Sequence, residues 1–347
     1  MRAWVIRATG GLEQLAFADV PDAGPPGPHE VKVALRAAAL NHLDLFVVHG
    51  LPVEYHFPHV LGADGAGVVE AVGPAVRAVT PGDRVMLNPG IADYSCAYCR
   101  AGEHSLCVNY RMLGEHLPGT LAESVVVPEH NVAIIPTLPT PLTWAEAAAF
   151  SLVTLTAWRM VVTRARVQPG ETVLIWGIGS GVSLAALQIA KLRGARTIVT
   201  SSSDAKLTAA RQLGADATLN HRSQQVAREV RALTEQRGAD VVIDHVGAAT
   251  WSDSLRALGR GGRLVTCGAT TGPQVSVDLR RLFWHQWSLL GSTMGNEAEY
   301  REAVRALATG ALRPLVDRVF PFADARAAFE RLADGEQFGK IAIAITA

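Results

Sequence analysis

Thr172-Val173-Leu174-Ile175-Trp176 is a wholly apolar run, and Gly177-Ile178-Gly179-Ser180-Gly181-Val182 follows it directly. An apolar run of strand length with no alternation reads as a strand buried on both faces. A glycine-rich turn opening a helix lets the backbone come close to a bound group. The turn is one junction of a series. A helix is expected over 183–193, then a strand at 196–200, a helix near 205–213, and strands at 239–243, 262–266 and 287–291. Apolar strands alternating with helices specify a parallel sheet covered on both faces.

Upstream the pattern differs. Runs at 31–35, 67–72 and 84–87 are separated by Gly- and Pro-containing turns such as Pro81-Gly82-Asp83, which suits a compact β-barrel-like unit. Helical periodicity is expected over 145–162, ahead of the first parallel strand. The last fifty residues carry a helix at 297–309, a strand near 316–320, another helix, and a run at 340–345 expected to return to the first unit. With 347 residues the chain exceeds one ordinary core, and two domains are expected.

Charge excludes several classes of partner. Lys plus Arg and Asp plus Glu are both 32, with no basic stripe, so nucleic acid and membrane surfaces have no electrostatic support. No apolar run reaches membrane-spanning length, and Arg2 and Arg7 interrupt anything like a secretory leader. A cytoplasmic location and a small-molecule substrate are expected. Three of the four cysteines lie within a dozen residues, which is no disulfide framework.

The turn at Gly177, Gly179, Ser180, Gly181 and Val182 has the setting of a dinucleotide site, where free amides at a helix start meet a pyrophosphate. About 20 residues on, an acidic side chain would accept the ribose 2′-hydroxyl of NAD. This chain has Ser201 there, with Lys206 and Arg222 available as positive charges. NADP(H) is therefore favoured over NAD(H), unless Asp204 restores the acidic partner.

Asp93-x2-Cys96-x2-Cys99-x7-Cys107 suits tetrahedral zinc, and a closed set of four ligands marks a structural site. Asp93 has the right spacing for the fourth ligand, and His104 competes for that place. Cys267 stands alone at a strand end.

Together, Leu40-Asn41-His42-Leu43-Asp44, Pro58-His59-Val60-Leu61-Gly62-Ala63-Asp64-Gly65-Ala66-Gly67-Val68-Val69, the cysteine lobe at 88–114, Leu155-Thr156-Ala157-Trp158 and the glycine turn resemble the medium-chain dehydrogenase/reductase superfamily of zinc alcohol dehydrogenases and quinone reductases. The resemblance covers the whole chain. It implies an α/β architecture: a GroES-like β-barrel catalytic domain in two pieces, 1–150 and 296–347, and a doubly wound parallel-sheet Rossmann domain at 151–295. Catalytic zinc in the alcohol dehydrogenase branch needs Cys where this chain has Asn41, His where it has Ala63, and a further Cys near Ser151 or Leu152. Leu43 replaces the proton-relaying hydroxyl residue, and His42, His49, His56 and His59 match no metal spacing.

Asn41 is similar to the zinc-free quinone reductase branch, so the resemblance implies a zinc-free reductase centre combined with one structural zinc. It further implies that Asn41 and Thr156 frame the nicotinamide and that Asp44 holds the loop. Val246, Cys267, Gly268, Ala269, Ser292 and Thr293 line the cofactor's path, and His42 and Tyr55 are candidate proton donors. The expected activity is NAD(P)H-dependent reduction of a quinone or electron-poor alkene. The rivals are a zinc-type alcohol dehydrogenase and a non-catalytic NADPH-binding protein. A homodimer or homotetramer paired through the strand at 288–293 is implied. The segments 47–57 and 278–286 are expected to be loops, with Tyr55, Phe57, Trp284 and Trp287 either lining a pocket or filling core.

Overall fold

The computed structural model describes residues 1–345, which divide into two compact units, 1–152 with 296–345 and 153–295. The first unit is built on the long strand Glu30–Ala39, in which Val31, Val33 and Leu35 alternate inward. Its neighbours are Asp64–Val72, Ser124–Pro128 and Lys340–Ala344, all antiparallel to it. Two register shifts, at Lys32/Val33 and Leu35/Ala37, bend the strand and let it serve three partners. Arg84–Leu87, Val132–Ile134 and Val316–Pro321 extend this seven-stranded sheet, and Leu15–Asp19, Arg2–Ile6 and His59–Val60 form a second one. Leu35, Val69, Val85, Leu87, Phe329, Ile341 and Ile343 are buried in one core. This is the GroES-like barrel.

The final strand does return to this unit. Ala342 lies opposite Ala39, and the Leu40 amide donates to the Ile341 carbonyl at 2.9 Å. That register sets Lys340 beside Asn41.

The second unit holds six parallel strands in the order Ala217–Asn220, Arg196–Ser201, Thr172–Ile175, Ala239–Asp244, Leu258–Thr266, Ser288–Gly291. This is the doubly wound Rossmann order. Its direction of progression reverses between Thr172–Ile175 and Ala239–Asp244, where such sheets open a crevice at their carboxyl ends. Val173, Leu174 and Ile175 have no exposed surface, as their unbroken apolar run implies.

Several local expectations are corrected. The helix expected at 145–162 is three pieces: Trp144–Ala148, Ser151–Trp158, and a wider π turn over Arg159–Arg164. The break has a tertiary cause. It exposes the Leu152 amide at a helix start, and the Asp64 carboxylate accepts that amide at 2.9 Å. His42–His49, Val226–Leu233 and Ala248–Ala257 are helices where none was assigned. The segments expected to be loops are partly helical, through the end of His42–His49 and through Leu279–His285. Trp287 is core, its indole donating to the Gly259 carbonyl at 2.8 Å, whereas Trp284 and Phe57 are exposed. Among the described residues no helix is long and apolar enough to cross a membrane.

Candidate active site, cofactor crevice and metal lobe

Asn41 follows the strand Glu30–Ala39 by two residues and stands at the start of the helix His42–His49, where the Asp44 side chain reaches back to its amide. The Asp44 carboxylate accepts the Asn41 amide at 2.7 Å on one oxygen and the Gly62 amide at 3.1 Å on the other. It therefore ties the two motif segments of this unit together. Burial pushes the Asp44 carboxyl up to about 6, outweighing those two amide donors and the nearby Lys340 ammonium, which pull it down.

The Asn41 side chain is 6% exposed and engaged at both ends. Its Oδ1 accepts from Lys340 Nζ at 2.5 Å, and its Nδ2 donates to Asp64 Oδ2 at 3.0 Å. Lys340 Nζ also reaches Asp64 Oδ2 at 2.9 Å, as an ion pair with side chains 5% and 0% exposed. Behind Asp64, Thr120 donates to its carbonyl at 2.7 Å. Ser151 and Tyr300 share a buried hydroxyl contact at 2.8 Å, and burial raises the Tyr300 phenol.

His42 has its imidazole lowered by burial and then by Lys340, so it is neutral at physiological pH. Tyr55 packs edge-on against His59, its hydroxyl is buried without a partner, and burial raises it. His59 donates to the Gly114 carbonyl at 3.0 Å, and His49 sits 3.0 Å from the Gly10 carbonyl. The four histidines of this segment form no metal-holding group with one another or with carboxylates and thiols among the described residues.

In the second unit the glycine turn is shaped for close approach. Gly177 has φ of 61° and Gly179 of 122°, a region that only glycine enters freely. Ser180 caps the helix Gly181–Leu192, accepting the Ser183 amide at 3.2 Å, and its hydroxyl lies 2.5 Å from His245 Nε2. The amides of Gly181 and Val182, first in that helix, have no partner among the described residues. Such a pair fits a phosphate. Across the crevice, Asp244 accepts the Val246 and Gly247 amides at 2.9 and 3.1 Å and the Thr250 and Ser254 hydroxyls. It thereby shapes the turn that carries Val246.

At the end of Arg196–Ser201, the Ser201 hydroxyl accepts the Ser203 amide at 3.2 Å. Asp204 is turned away to Asn220 at 2.7 Å, and the Arg222 side chain is exposed. Lys206 lies one turn into the helix Asp204–Gln212. Cys267, Gly268 and Ala269 follow the Leu258–Thr266 strand, and burial pushes the Cys267 thiol up to about 12. The Ser292 hydroxyl is buried without a partner, next to Thr293, and Thr156 lies 3.6 Å from Met294 sulfur.

The metal lobe gathers as a unit. One ligand atom each from Asp93, Cys96, Cys99 and Cys107 lies within 4.8 Å of all the others. Backbone amides point at them: Asp93 and Asn109 to Cys107 Sγ at 3.3 and 3.4 Å, and Cys99 to Cys96 Sγ at 3.5 Å. Asp93 is further fixed by the Cys96 and Ser95 amides, which lower its carboxyl, and by Asn109. Burial pushes the Cys99 thiol up to about 12, so a bound cation would be what holds it as thiolate. This donor set fits zinc. His104 stands outside it, accepting the Glu297 amide at 3.3 Å and packing on Tyr94.

Sequence order gives little sign of several of these groups, Lys340, the Asp64 side chain, Asp244, His245 and Tyr300 among them. Lys340 carried a weak signal, being the one charge in an apolar strand.

Comparison with known proteins agrees with this layout. Residues 27–137 match the alcohol dehydrogenase GroES-like domain, and residues 181–309 match the zinc-binding dehydrogenase domain. The chain is 32% identical over 345 residues to a zinc-type alcohol dehydrogenase-like protein of Leptosphaeria maculans, with 92% of each chain covered. It is 33% identical to a quinone oxidoreductase of Pseudomonas aeruginosa, with 94% of each covered. The crystal structure of an NAD-dependent alcohol dehydrogenase superposes with a TM-score of 0.95 at 46% identity, over 100% of both chains.

Proposed function

Because the chain belongs to the medium-chain dehydrogenase/reductase superfamily and is an oxidoreductase of it, we propose a specific member: an NAD(P)H-dependent reductase of quinones or electron-poor alkenes that works without a catalytic metal. One observation carries the reading. Around Asp64 the chain offers the Asn41 amide, the Ala63 methyl and the Leu152 backbone, and the cation held there is the Lys340 ammonium. Among the described residues, the one group of three or more His, Cys, Asp or Glu side chains close enough to hold a metal is the Asp93 lobe.

A hydride acceptor that became a localised alkoxide would need a Lewis acid or a closely placed proton donor at neutral pH. A conjugated carbonyl spreads that charge, so positioning and hydrogen bonds suffice.

Bound NAD(P)H supplies the hydride. The Gly181 and Val182 amides would hold its pyrophosphate, with Gly177 and Gly179 leaving room. Ser201, Lys206 and Arg222 suit a 2′-phosphate, because Asp204 is committed to Asn220. Val246, Cys267, Gly268, Ala269, Ser292, Thr293 and Thr156 would line the cofactor's path in their unit. Asn41, kept in place by Asp44, would serve the reacting carbonyl, with neutral His42 and Tyr55 the candidate proton donors. Zinc on Asp93, Cys96, Cys99 and Cys107 would only cross-link its lobe. Reduced cysteines are consistent with a cytoplasmic location, and the edge position of Ser288–Gly291 suits pairing into a homodimer or homotetramer.

The test combines metal analysis with turnover. One zinc per chain, together with NADPH oxidation by 1,4-benzoquinone or 2-cyclohexenone, is the expected result. Two metals per chain and an alcohol-oxidising activity lost on chelation would overturn it. That outcome is the second reading, alcohol dehydrogenase, which is favoured by the 46% identity to an enzyme of that name.

A further inference from the structure

Both side chains of the Lys340–Asp64 ion pair are buried, 5% and 0% exposed, and the Asn41 carboxamide closes a triangle with them. Its atom types are dictated. An ammonium only donates and a carboxylate only accepts, so the Asn41 atom facing Lys340 is the oxygen and the one facing Asp64 is the NH2. The carboxamide is thus locked in one of its two flip states. Its second N–H reaches only the Ala39 carbonyl, at 3.4 Å. The backbone beneath is fixed as well, since Asp44 takes the Asn41 amide at 2.7 Å. The other Asp64 oxygen takes the Leu152 amide at 2.9 Å. Residues 41 and 152 therefore hang on one ion pair, with Ala63 next to it in the chain.

A buried ion pair is a poor way to gain stability, because desolvation offsets the Coulomb attraction and apolar replacements of similar volume serve as well. Its value lies in fixing geometry. We propose that Lys340 is a positioning residue for the reduction: its ammonium, neutralised by Asp64, fixes the Asn41 carboxamide so that the N–H on the long Ala39 contact is the donor it offers to the reacting carbonyl. This rests on the reductase reading above.

The key variant is K340M/D64N, which removes both charges and leaves no lone buried ion to unfold the protein. With NADPH and 1,4-benzoquinone it is expected to melt near the wild-type temperature, to keep KM for NADPH within about twofold, and to lose about 10- to 100-fold in kcat. In an N41A background the same pair of changes is expected to alter kcat by less than about twofold, because residues acting through one group are not additive. Wild-type kcat in the double variant, or an equal loss with and without Asn41, would overturn the proposal.

An activity-free measurement separates the two ideas. The chain has four lysines, and acetylation followed by mass spectrometry should modify Lys191 and Lys206 while sparing Lys340 until D64N or N41A opens the lock. Lys340 acetylated as fast as Lys191 in an active enzyme sinks the positioning role alone. A wild type that turns over no quinone or enone sinks the reductase reading and this role with it.

Discussion

Asp44 gives the sharpest quantitative test, because one number follows from its surroundings. Its carboxyl is raised from 3.8 to about 6, with burial as the first cause. That is roughly two units, or about 3 kcal/mol at 1.36 kcal/mol per unit. The sign follows from linkage. Between these values the native state holds a proton that the unfolded state has lost, so the stabilisation is complete below 3.8 and disappears as pH rises through about 6. Over the practical window, wild type should lose roughly 1–2 kcal/mol between pH 5 and pH 7.5 from this group alone. D44N cannot titrate, and it leaves either the Asn41 or the Gly62 amide without an acceptor, a fixed loss of about 1–2 kcal/mol. Urea unfolding of both proteins across that range cancels the titrating groups that are not coupled to Asp44. The wild-type advantage over D44N should shrink by roughly 1–2 kcal/mol from pH 5 to pH 7.5. A gap that stays constant, or widens with pH, would refute the claim that burial outweighs the two amides and Lys340.

Three further outcomes are expected. Removing the metal with a strong chelator, or replacing Cys99 by Ala, should release about one zinc per chain and lower the melting temperature by roughly 5 °C or more, with NADPH binding retained. Loss of cofactor binding would contradict a purely structural lobe. Ser201→Asp places a carboxylate where a 2′-phosphate would lie, and it should shift the NADPH-to-NADH ratio of kcat/KM by about 30-fold or more toward NADH. An unchanged ratio would show that this strand end does not read the ribose. Light scattering should give two or four times the 36.9 kDa chain mass, and a monomer at micromolar concentration would remove the edge-strand pairing.

What could be read along the chain, and what could not, divides by the range of the interactions. The parallel sheet was legible because Val173, Leu174 and Ile175 are buried on both faces, and burial on both faces leaves an unbroken apolar run. The helix Val226–Leu233 also left a trace, Val226 and Val230 one turn apart and both buried, but no side-chain cap at Gln225 marks its start. The break inside 145–162 left none. Apolar periodicity runs on through it, and only the Asp64 carboxylate, 88 residues away, gives the Leu152 amide a reason to leave a continuous helix.

The same limit governs the candidate site. Absent ligands are visible one residue at a time, so Asn41, Ala63 and Leu152 could be seen to lack metal-binding side chains. What stands in their place is a relation among residues 41, 64 and 340, and Lys340 is 299 positions from Asn41. The pairing of Lys340–Ala344 with Glu30–Ala39 creates that relation. Missing ligands argue against a metal; an ammonium already bound to the remaining carboxylate argues for a different chemistry. The second statement carries the proposed metal-free reading further, because one Asp64 oxygen already accepts from Lys340 and Asn41 and the other from Leu152.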